Sequence, residues 1–415
     1  MRVLLHTFGC KANQYDTEVV RQRLESAGCE VVDTAERADA AVVNSCTVTH
    51  VGEGKMRGFV RRLARQRPGI RTVVMGCAAA LDDGTIAALP GVASLVGGAD
   101  AGAVARALGI ADSTGAPLAS FRSGSRAWLK VQDGCDEHCT FCATTLARGD
   151  NASRGPEAVV AEASLLARRH AEIVITGVHI GTYGRDLDGG WTLGRLAALL
   201  IERVEGVRFR LSSVEATEVC DDLARLMCER PDRLAPHLHA PLQSGSDRVL
   251  RRMGRHWYTA SAYRRRIEAI ARAARPLGLG ADVIVGFPGE SDADHRATAE
   301  LVRDLPFTYL HVFPYSPRAG TAAPRLGPPP AAELVKERGA ELRALAARKA
   351  EAHRAARAGA LADLVLESRR AGVREALSED YVAVDLPAEA PWVLGRARLT
   401  ARLELEAGRL RGRAA

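Results

Sequence analysis

The sequence predicts an α/β protein in three parts. These are an N-terminal open parallel-sheet domain over residues 1–112, a central (β/α)6 partial TIM-like barrel over 121–350, and a small C-terminal all-β domain over 355–415. Three observations predict it. Strand-like runs alternate with helical patterns through the first two parts, which implies parallel sheets covered by helices. A stretch rich in Ala, Ser, Gly and Pro at 111–125 and a GPPP hinge at 327–330 divide the chain. Beyond residue 361 only short strand-like runs remain.

Composition bounds the function. A chain of 415 residues exceeds one ordinary domain, and 47% hydrophobic residues supply proper cores, which sets aside the disordered class. The formal charge of +7 permits an anionic partner. Arg greatly outnumbers Lys and Ala is abundant, a compositional bias that weakens any single Arg cluster as evidence. The start, MRVLLHTFGCKANQYDTE, turns polar too soon for a signal peptide, and no apolar run approaches the roughly 18 residues of a membrane span. The expectation is a cytoplasmic monomer without membrane contact. Its nine cysteines then point to metal or redox chemistry, because that compartment keeps thiols reduced.

In the first part, residues 2–8, 40–45 and 72–76 read as strands, and 15–27 and 55–66 as helices. Cys10, Cys46 and Cys77 each fall just past a strand end. In an open α/β sheet those ends share the edge where ligands bind, so three cysteines distant in sequence converge. The alternative is three unrelated buried thiols.

The second part opens with a strand at 127–131 and the run VQDGCDEHCTFC, which sets Cys135, Cys139 and Cys142 in a C-x3-C-x2-C pattern. Three thiolates this close suit a soft metal centre. A structural zinc site wants four protein ligands, and no fourth Cys or His follows at zinc-ribbon spacing. Three ligands on a four-iron cube leave one iron open to a reactant. Further strands are expected at 172–177, 207–213, 237–242, 280–288 and 308–316, with helices at 156–170, 260–274 and 292–305. Chemistry in such barrels gathers at the carboxyl ends of strands, where the cysteine loop, Gly177, Ser213, Glu215, Gln243 and Gly286 all lie. His179, His237 and His239 read as strand-end packing or hydrogen bonding rather than a further metal site. Cys29, Cys220 and Cys228 lack cluster spacing and read as packed thiols. A charged, Ala-rich helix at 333–357 shows mostly a solvated face, and short strands follow at 364–368, 381–386 and 397–413.

The cysteine loop, with Phe141 before its last Cys, resembles the signature of radical S-adenosylmethionine (SAM) enzymes. FGCKANQYDTE, VNSCTVTH and VVMGCAAA resemble the three N-terminal cysteine motifs of the radical-SAM methylthiotransferases. TGVHIGTYGRDL, RLSSVEATE, HLHAPLQSGSDRVLRRMGR, DVIVGFPGE and HVFPYSPRAGT resemble further motifs of that family, so the likeness runs from about residue 2 to 345. It implies two 4Fe-4S clusters, one on Cys135, Cys139 and Cys142 and one on Cys10, Cys46 and Cys77. The first would reduce SAM to methionine and a 5′-deoxyadenosyl radical, and the second would hold the sulfur to be inserted. Phe141, Gly177, Ser213, Glu215, Gln243 and Gly286 would contact SAM, the glycines by admitting its close approach. For each polar residue alone, a barrel-mouth hydrogen bond is the other reading. The tail stands where the family carries a TRAM domain that binds tRNA, here degenerate; a plain packing role is the alternative.

GCKANQYDTE, CTVTH and TGVHIGTYGRDL look most like the branch that methylthiolates N6-threonylcarbamoyladenosine in the tRNA anticodon loop. The isopentenyladenosine branch and a ribosomal-protein aspartate branch are the alternatives, with an iron–sulfur electron-transfer protein as a different class. The implied partners are tRNA, a sulfur donor and an electron donor such as flavodoxin or ferredoxin. Departures from the family pattern are Ala78, the run Ala143-Thr144-Thr145 after the third Cys, and Ala152 within the basic segment 148–154.

Overall fold

The computed structural model describes residues 1–47, 50–111, 115–122, 124–370 and 372–415, with only the backbone described at 368–370. The domain boundary expected at 112, parts of the 111–125 linker, two residues of the VNSCTVTH motif and the side chain ending the 364–368 run lie outside the described residues.

Strands β1 (Arg2–Thr7), β2 (Glu30–Val32), β3 (Ala40–Ser45), β4 (Arg71–Gly76) and β5 (Val92–Gly97) form one parallel sheet in the order β2-β1-β3-β4-β5. Helices α1 (Lys11–Ser26) and α4 (Ala101–Ala107) bury Val20, Leu24 and Val104 against Val3, Val42 and Val73 on one face. On the other, α2 (His50–Gln66) sets Met56 and Val60 against Val43 and Val74. A single turn, α3, spans Cys77–Ala80. The strand order reverses between β1 and β3, and the edge beyond their carboxyl ends is the ligand-binding place of such sheets. Sequence reading missed β2 and β5, the two edge strands, whose weak burial blurs the pattern of alternation. It also placed the start of α1 four residues late. Cys10 occupies the N-cap, where Ser, Thr, Asp or Asn is the usual signal, and the Asn13 side chain returns to the Cys10 N–H at 3.4 Å.

The linker is not loose. Within 115–122, Leu118 is buried, Gln22 donates to the Ala116 and Pro117 carbonyls, and Arg21 donates to Ser120 O at 2.7 Å.

Six parallel strands follow: β6 (Arg126–Lys130), β9 (Glu172–Thr176), β10 (Arg208–Leu211), β11 (His237–His239), β12 (Gly278–Val285) and β13 (Tyr309–Pro314). Between β6 and β9 lies a two-residue ladder of β7 (Gln132–Asp133) with β8 (Ala152–Ser153). The six pair as β6-β9-β10 and β11-β12-β13, and the two halves are joined by Ala235 N–H to Phe209 O and Val214 N–H to His239 O. The result is an open, curved parallel sheet, the partial barrel expected. Helices α5 (Thr144–Arg148), α6 (Pro156–Ala167), α7 (Leu193–Arg203), α8 (Asp221–Glu229), α9 (Asp247–Arg252), α10 (Ala260–Ala273) and α11 (Asp292–Asp304) connect its strands. The long α12 (Ala332–Arg357) buries Leu342 and Leu345 and runs unbroken across 350–355. Among the described residues no helix is long and apolar enough to cross a membrane.

The C-terminal strands β14 (Leu361–Arg370), β15 (Val373–Ser378), β16 (Ala383–Pro387), β17 (Arg398–Glu406) and β18 (Arg409–Ala414) close into a five-stranded barrel around Leu364, Leu386 and Leu403. This barrel plugs the amino ends of the central strands. Glu172, fully buried, accepts from Arg126 at 2.7 Å, Arg208 at 2.7 Å and Arg210 at 2.9 Å. The same arginines reach on to Glu367, Asp363 and the Ser378 and Glu379 carbonyls. One buried carboxylate thus ties three guanidiniums that also hold the C-terminal barrel, a network that would be costly to open.

Candidate active site

The N-terminal cysteines stand on three neighbouring strand ends. Cys10 follows β1, Cys46 follows β3, and Cys77 begins the turn after β4. Polar side chains knit the three loops. Asn13 donates to Asn44 Oδ1 at 2.9 Å and to Ser45 O at 3.3 Å, and Cys10 Sγ donates to Asn13 Oδ1 at 3.4 Å. Ser45 Oγ donates to Met75 O at 2.6 Å and accepts from the Ala79 N–H at 3.1 Å. A side chain at Gly9 would come within 3.0 Å of Cys46 Cβ, so the first two loops abut. Burial pushes the Cys77 thiol up, while Arg148, whose Nε donates to Cys77 Sγ at 3.1 Å, pulls it down.

The central loop is held more locally. Gly134 has φ +66, and a Cβ there would lie 1.8 Å from Asp150 O, so only glycine fits before Cys135. The Cys135 N–H donates to Gly149 O at 3.0 Å, and the Thr140 N–H to Met253 O at 2.8 Å. Each sulfur meets a polar neighbour. His179 Nδ1 lies 3.4 Å from Cys135 Sγ, Arg255 Nη1 donates to Cys139 Sγ at 3.5 Å, and the Thr144 N–H donates to Cys142 Sγ at 3.4 Å. Burial pushes the Cys139 thiol up to about 12, against the pull of Arg255. Burial opposes charge on His179, but its contacts with Cys135 and Glu218 outweigh it and raise the imidazole to about 10.

Four charges join the two sites. Arg148, on the helix after the third central Cys, also donates to Asp16 at 2.9 Å and to Asp133 at 2.9 Å. Lys130 pairs with the same two carboxylates, reaching Asp133 at 2.8 Å. Asp16 follows Cys10 on α1, and Asp133 directly precedes the central loop.

The six residues expected at SAM divide. Phe141 and Gln243 share a cavity of about 140 Å³ with Asp282, Phe313 and Tyr315. Gln243 is held at φ +59, a left-handed conformation rare outside glycine and frequent at functional sites. Ser213 lines a neighbouring cavity of about 230 Å³, and Asp282 and Phe313 border both. Gly286 lines a third that meets the first at Pro314 and Tyr315. Glu215 and Gly177 face protein. Glu215 is buried against Arg255, with one carboxylate oxygen unpartnered, and burial raises its pKa. The space a Cβ would take at Gly177 is filled by Gln132 and Ile180.

Sequence reading missed several contributors. Gln132 accepts from the Val178 and His179 N–H groups and donates to the Gly134 carbonyl, pinning the cysteine loop to the end of β9. Arg148, Arg255 and Lys130 were also unforeseen, since no spacing rule links them to cysteines far off in the chain. His237 and His239 both hydrogen-bond the Tyr309 hydroxyl, as strand-end histidines were expected to do. Of the cysteines read as packed thiols, Cys220 is exposed, because it caps the surface end of α8.

The donor sets fit iron–sulfur cubes. All six thiols are free of disulfides. Among the described residues, neither triad is gathered as tightly as a single ion would need; only His239, Asp282 and His311 are. A cube carries its three thiolates on separate irons, and a bound cation reverses the burial cost, since a ligating thiol is deprotonated outright. Arg148, Arg255 and the backbone N–H groups supply the donors that anionic sulfur requires.

Comparison with known proteins places the chain. Residues 2–98 match the uncharacterized protein family UPF0004, and residues 129–302 match the Radical SAM superfamily. A Bacillus subtilis protein named threonylcarbamoyladenosine tRNA methylthiotransferase is 39% identical over 346 residues, covering 78% of this chain and 75% of the relative. A Paracoccus denitrificans tRNA-2-methylthio-N(6)-dimethylallyladenosine synthase is 35% identical, covering 78% and 76%. Among solved structures, the radical SAM methyltransferase TsrM of Kitasatospora setae matches with a TM-score of 0.58 at 14% identity, over 75% of this chain and 72% of that one, a likeness of fold alone.

Proposed function

The chain belongs to the radical-SAM methylthiotransferases, and from that premise we propose that it methylthiolates N6-threonylcarbamoyladenosine at position 37 of tRNA. The observation that carries methylthiolation is the pairing of two three-thiol sites across Arg148 at the mouth of one barrel, and the threonylcarbamoyl choice is supported by the likeness to a relative named for that nucleoside. Inserting sulfur at an unreactive C–H needs both a centre that activates the carbon and a centre that delivers sulfur, within reach of one base. Cys135, Cys139 and Cys142 would hold one 4Fe-4S cluster with SAM at its open iron, and Cys10, Cys46 and Cys77 the other. When bound, these groups supply one-electron chemistry at carbon and the sulfur and methyl to be transferred.

The chain's own residues position and shield. Arg255 and the Thr144 N–H face anionic sulfur at the central site, and Arg148 does so at Cys77. Phe141 packs its ring edge-on to Phe287, with centroids 6.4 Å apart, and lines the cavity wall beside Gln243. Phe141, Gln243, Ser213 and Gly286, which border adjoining cavities, are our assignment for contact with SAM; Glu215 would act through Arg255, and Gly177 through the seat of Gln132. The sheet at 1–112, the barrel at 121–350 and the β-barrel at 355–415 are assigned as separate domains. The last stands where the family binds tRNA, through phosphate contacts that position without specifying. An anticodon-loop base would enter the barrel unstacked, as enzymes acting on bases require.

The relative from Paracoccus carries the second reading, an isopentenyl-type adenosine. Mass spectrometry of tRNA nucleosides from a deletion strain decides between them. Loss of 2-methylthio-N6-threonylcarbamoyladenosine, with its unthiolated precursor accumulating, is expected. Loss of the isopentenyl product instead would overturn the substrate assignment.

A further inference from the structure

Lys11 belongs to the first turn of α1, directly after Cys10, yet its amine lies in the central barrel. It lines the 230 Å³ cavity together with Arg210, Ser213, His237, Asp282 and Tyr309. Among the described residues that amine makes no hydrogen bond and no ion pair. The cavity's other charged groups are engaged. Asp282 is held by His239 at 3.2 Å and His311 at 3.1 Å, and Arg210 by Glu172 and two carbonyls of the C-terminal barrel. His237 Nδ1 is buried without a partner as well. Stacked rings form a wall, with His237 lying 4.3 Å from Tyr381.

Lys11 is half-buried, and an ammonium that faces a cavity with no protein partner is placed to pair with an anion that enters it. The cavity is smaller than the roughly 300–1,000 Å³ of a drug-sized site, so it suits one base substituent rather than a stretch of nucleic acid. We propose that Lys11 is the specificity-determining residue of this site, its ammonium pairing with the carboxylate of the threonyl group on N6 of the substrate adenosine. The assignment rests on the threonylcarbamoyladenosine reading above. His237 Nδ1 supplies a second polar contact, suited to the threonyl hydroxyl. An isopentenyl group offers neither partner and leaves the ammonium bare, which is how a polar site rejects an apolar analogue.

The test is binding of the full-length, cluster-loaded protein to anticodon stem-loops, followed by fluorescence anisotropy. Position 37 carries threonylcarbamoyladenosine, the same nucleoside with its carboxylate converted to a carboxamide, isopentenyladenosine, or adenosine. Wild-type protein is expected to prefer the carboxylate over the carboxamide by about 10–100-fold, the range of a charge-assisted hydrogen bond. Lys11→Gln should bind both at the weaker level, while Lys11→Arg keeps most of the preference. Iron content guards against a variant that has lost Cys10's cluster, and the wild-type comparison needs no variant at all. Equal binding of carboxylate and carboxamide by wild type, or a preference that survives Lys11→Gln, overturns the role of Lys11 and leaves the substrate reading standing. Tighter binding of isopentenyladenosine by wild type overturns both.

Discussion

The two cysteine triads offer identical donors and are built in opposite ways. Cys135, Cys139 and Cys142 sit on one loop, fixed by Gly134, Gln132 and backbone hydrogen bonds close at hand. Cys10, Cys46 and Cys77 come one from each of three strand ends and meet because β1, β3 and β4 are neighbours. The central site is therefore a property of a loop, and the N-terminal site a property of a sheet. A local site tolerates disturbance elsewhere, whereas a dispersed site fails when any of three loops shifts.

The largest effect divides the sites by role. Changing Cys135, Cys139 and Cys142 together to Ala should abolish reductive cleavage of SAM and lower iron from about eight to about four per chain, as two four-iron clusters require. The matching change at Cys10, Cys46 and Cys77 should halve iron too, but spare SAM cleavage while ending methylthio product. Loss of 5′-deoxyadenosine formation in a folded N-terminal variant would break the division.

Next comes the link between them. Arg148 is buried against Asp16 and Asp133, so Arg148→Met leaves two carboxylates partly uncompensated, at a cost of about 3–5 kcal/mol. Iron should leave the N-terminal site first, since Cys77 loses its donor while the central sulfurs keep Arg255 and His179. Site-resolved Mössbauer or EPR spectra follow this, and equal loss from both sites would remove the asymmetry.

The same contrast governs how much could be read from the sequence. The central triad is a spacing pattern and is visible without a fold. The N-terminal triad is visible only once β1, β3 and β4 are recognised and their strand ends aligned, which the apolar runs 2–8, 40–45 and 72–76 allow. The barrel was legible for the same reason, since β9 and β12 each carry three consecutive apolar β-branched residues, at 173–175 and 283–285. What escaped depends on side chains crossing large sequence separations. Arg148 reaches Cys77, Arg255 reaches Cys139, Lys11 enters a cavity of another domain, and Arg208 and Arg210 look like solvent-facing residues of a strand yet are buried on Glu172. Periodicity carries no information about such pairs.

A smaller effect tests the knitting of the dispersed site. Asn13 is buried and bridges the loops of Cys10 and Cys46, so Asn13→Ala leaves Asn44 and Ser45 groups short of partners, costing about 1–3 kcal/mol. Thr144→Ala removes one hydroxyl from Cys142 Sγ, whose backbone donor stays, and should cost only about 0.5–1.5 kcal/mol. Urea unfolding of the two variants ranks them; a larger loss at Thr144 would reverse the local-versus-dispersed argument.

The smallest effect is a pH dependence confined to the barrel. His237 is fully buried between Tyr309 and Tyr381, and burial, then Arg210, holds its pKa well below 6.5. The folded protein thus keeps it neutral, while the unfolded chain takes up a proton below pH 6.5. Stability from this group is full above pH 6.5 and falls as pH drops, by at most about 1.4 kcal/mol per unit. His179 has the opposite sign. Raised to about 10, it contributes fully below pH 6.5 and loses that contribution as pH climbs through 10, so it adds no slope on the acid side. His6, in the N-terminal sheet, is also lowered by burial but is only half-buried against Phe59 and should contribute less. Hydrogen exchange followed by mass spectrometry separates β9–β13 from β1–β5 in one experiment. Between pH 6.5 and 5.5 the barrel peptides should lose about 1 kcal/mol of protection, a loss removed by His237→Asn, whereas His6→Asn changes the sheet by less. An acid slope in the barrel that survives His237→Asn would assign it to other groups and leave this contrast without support.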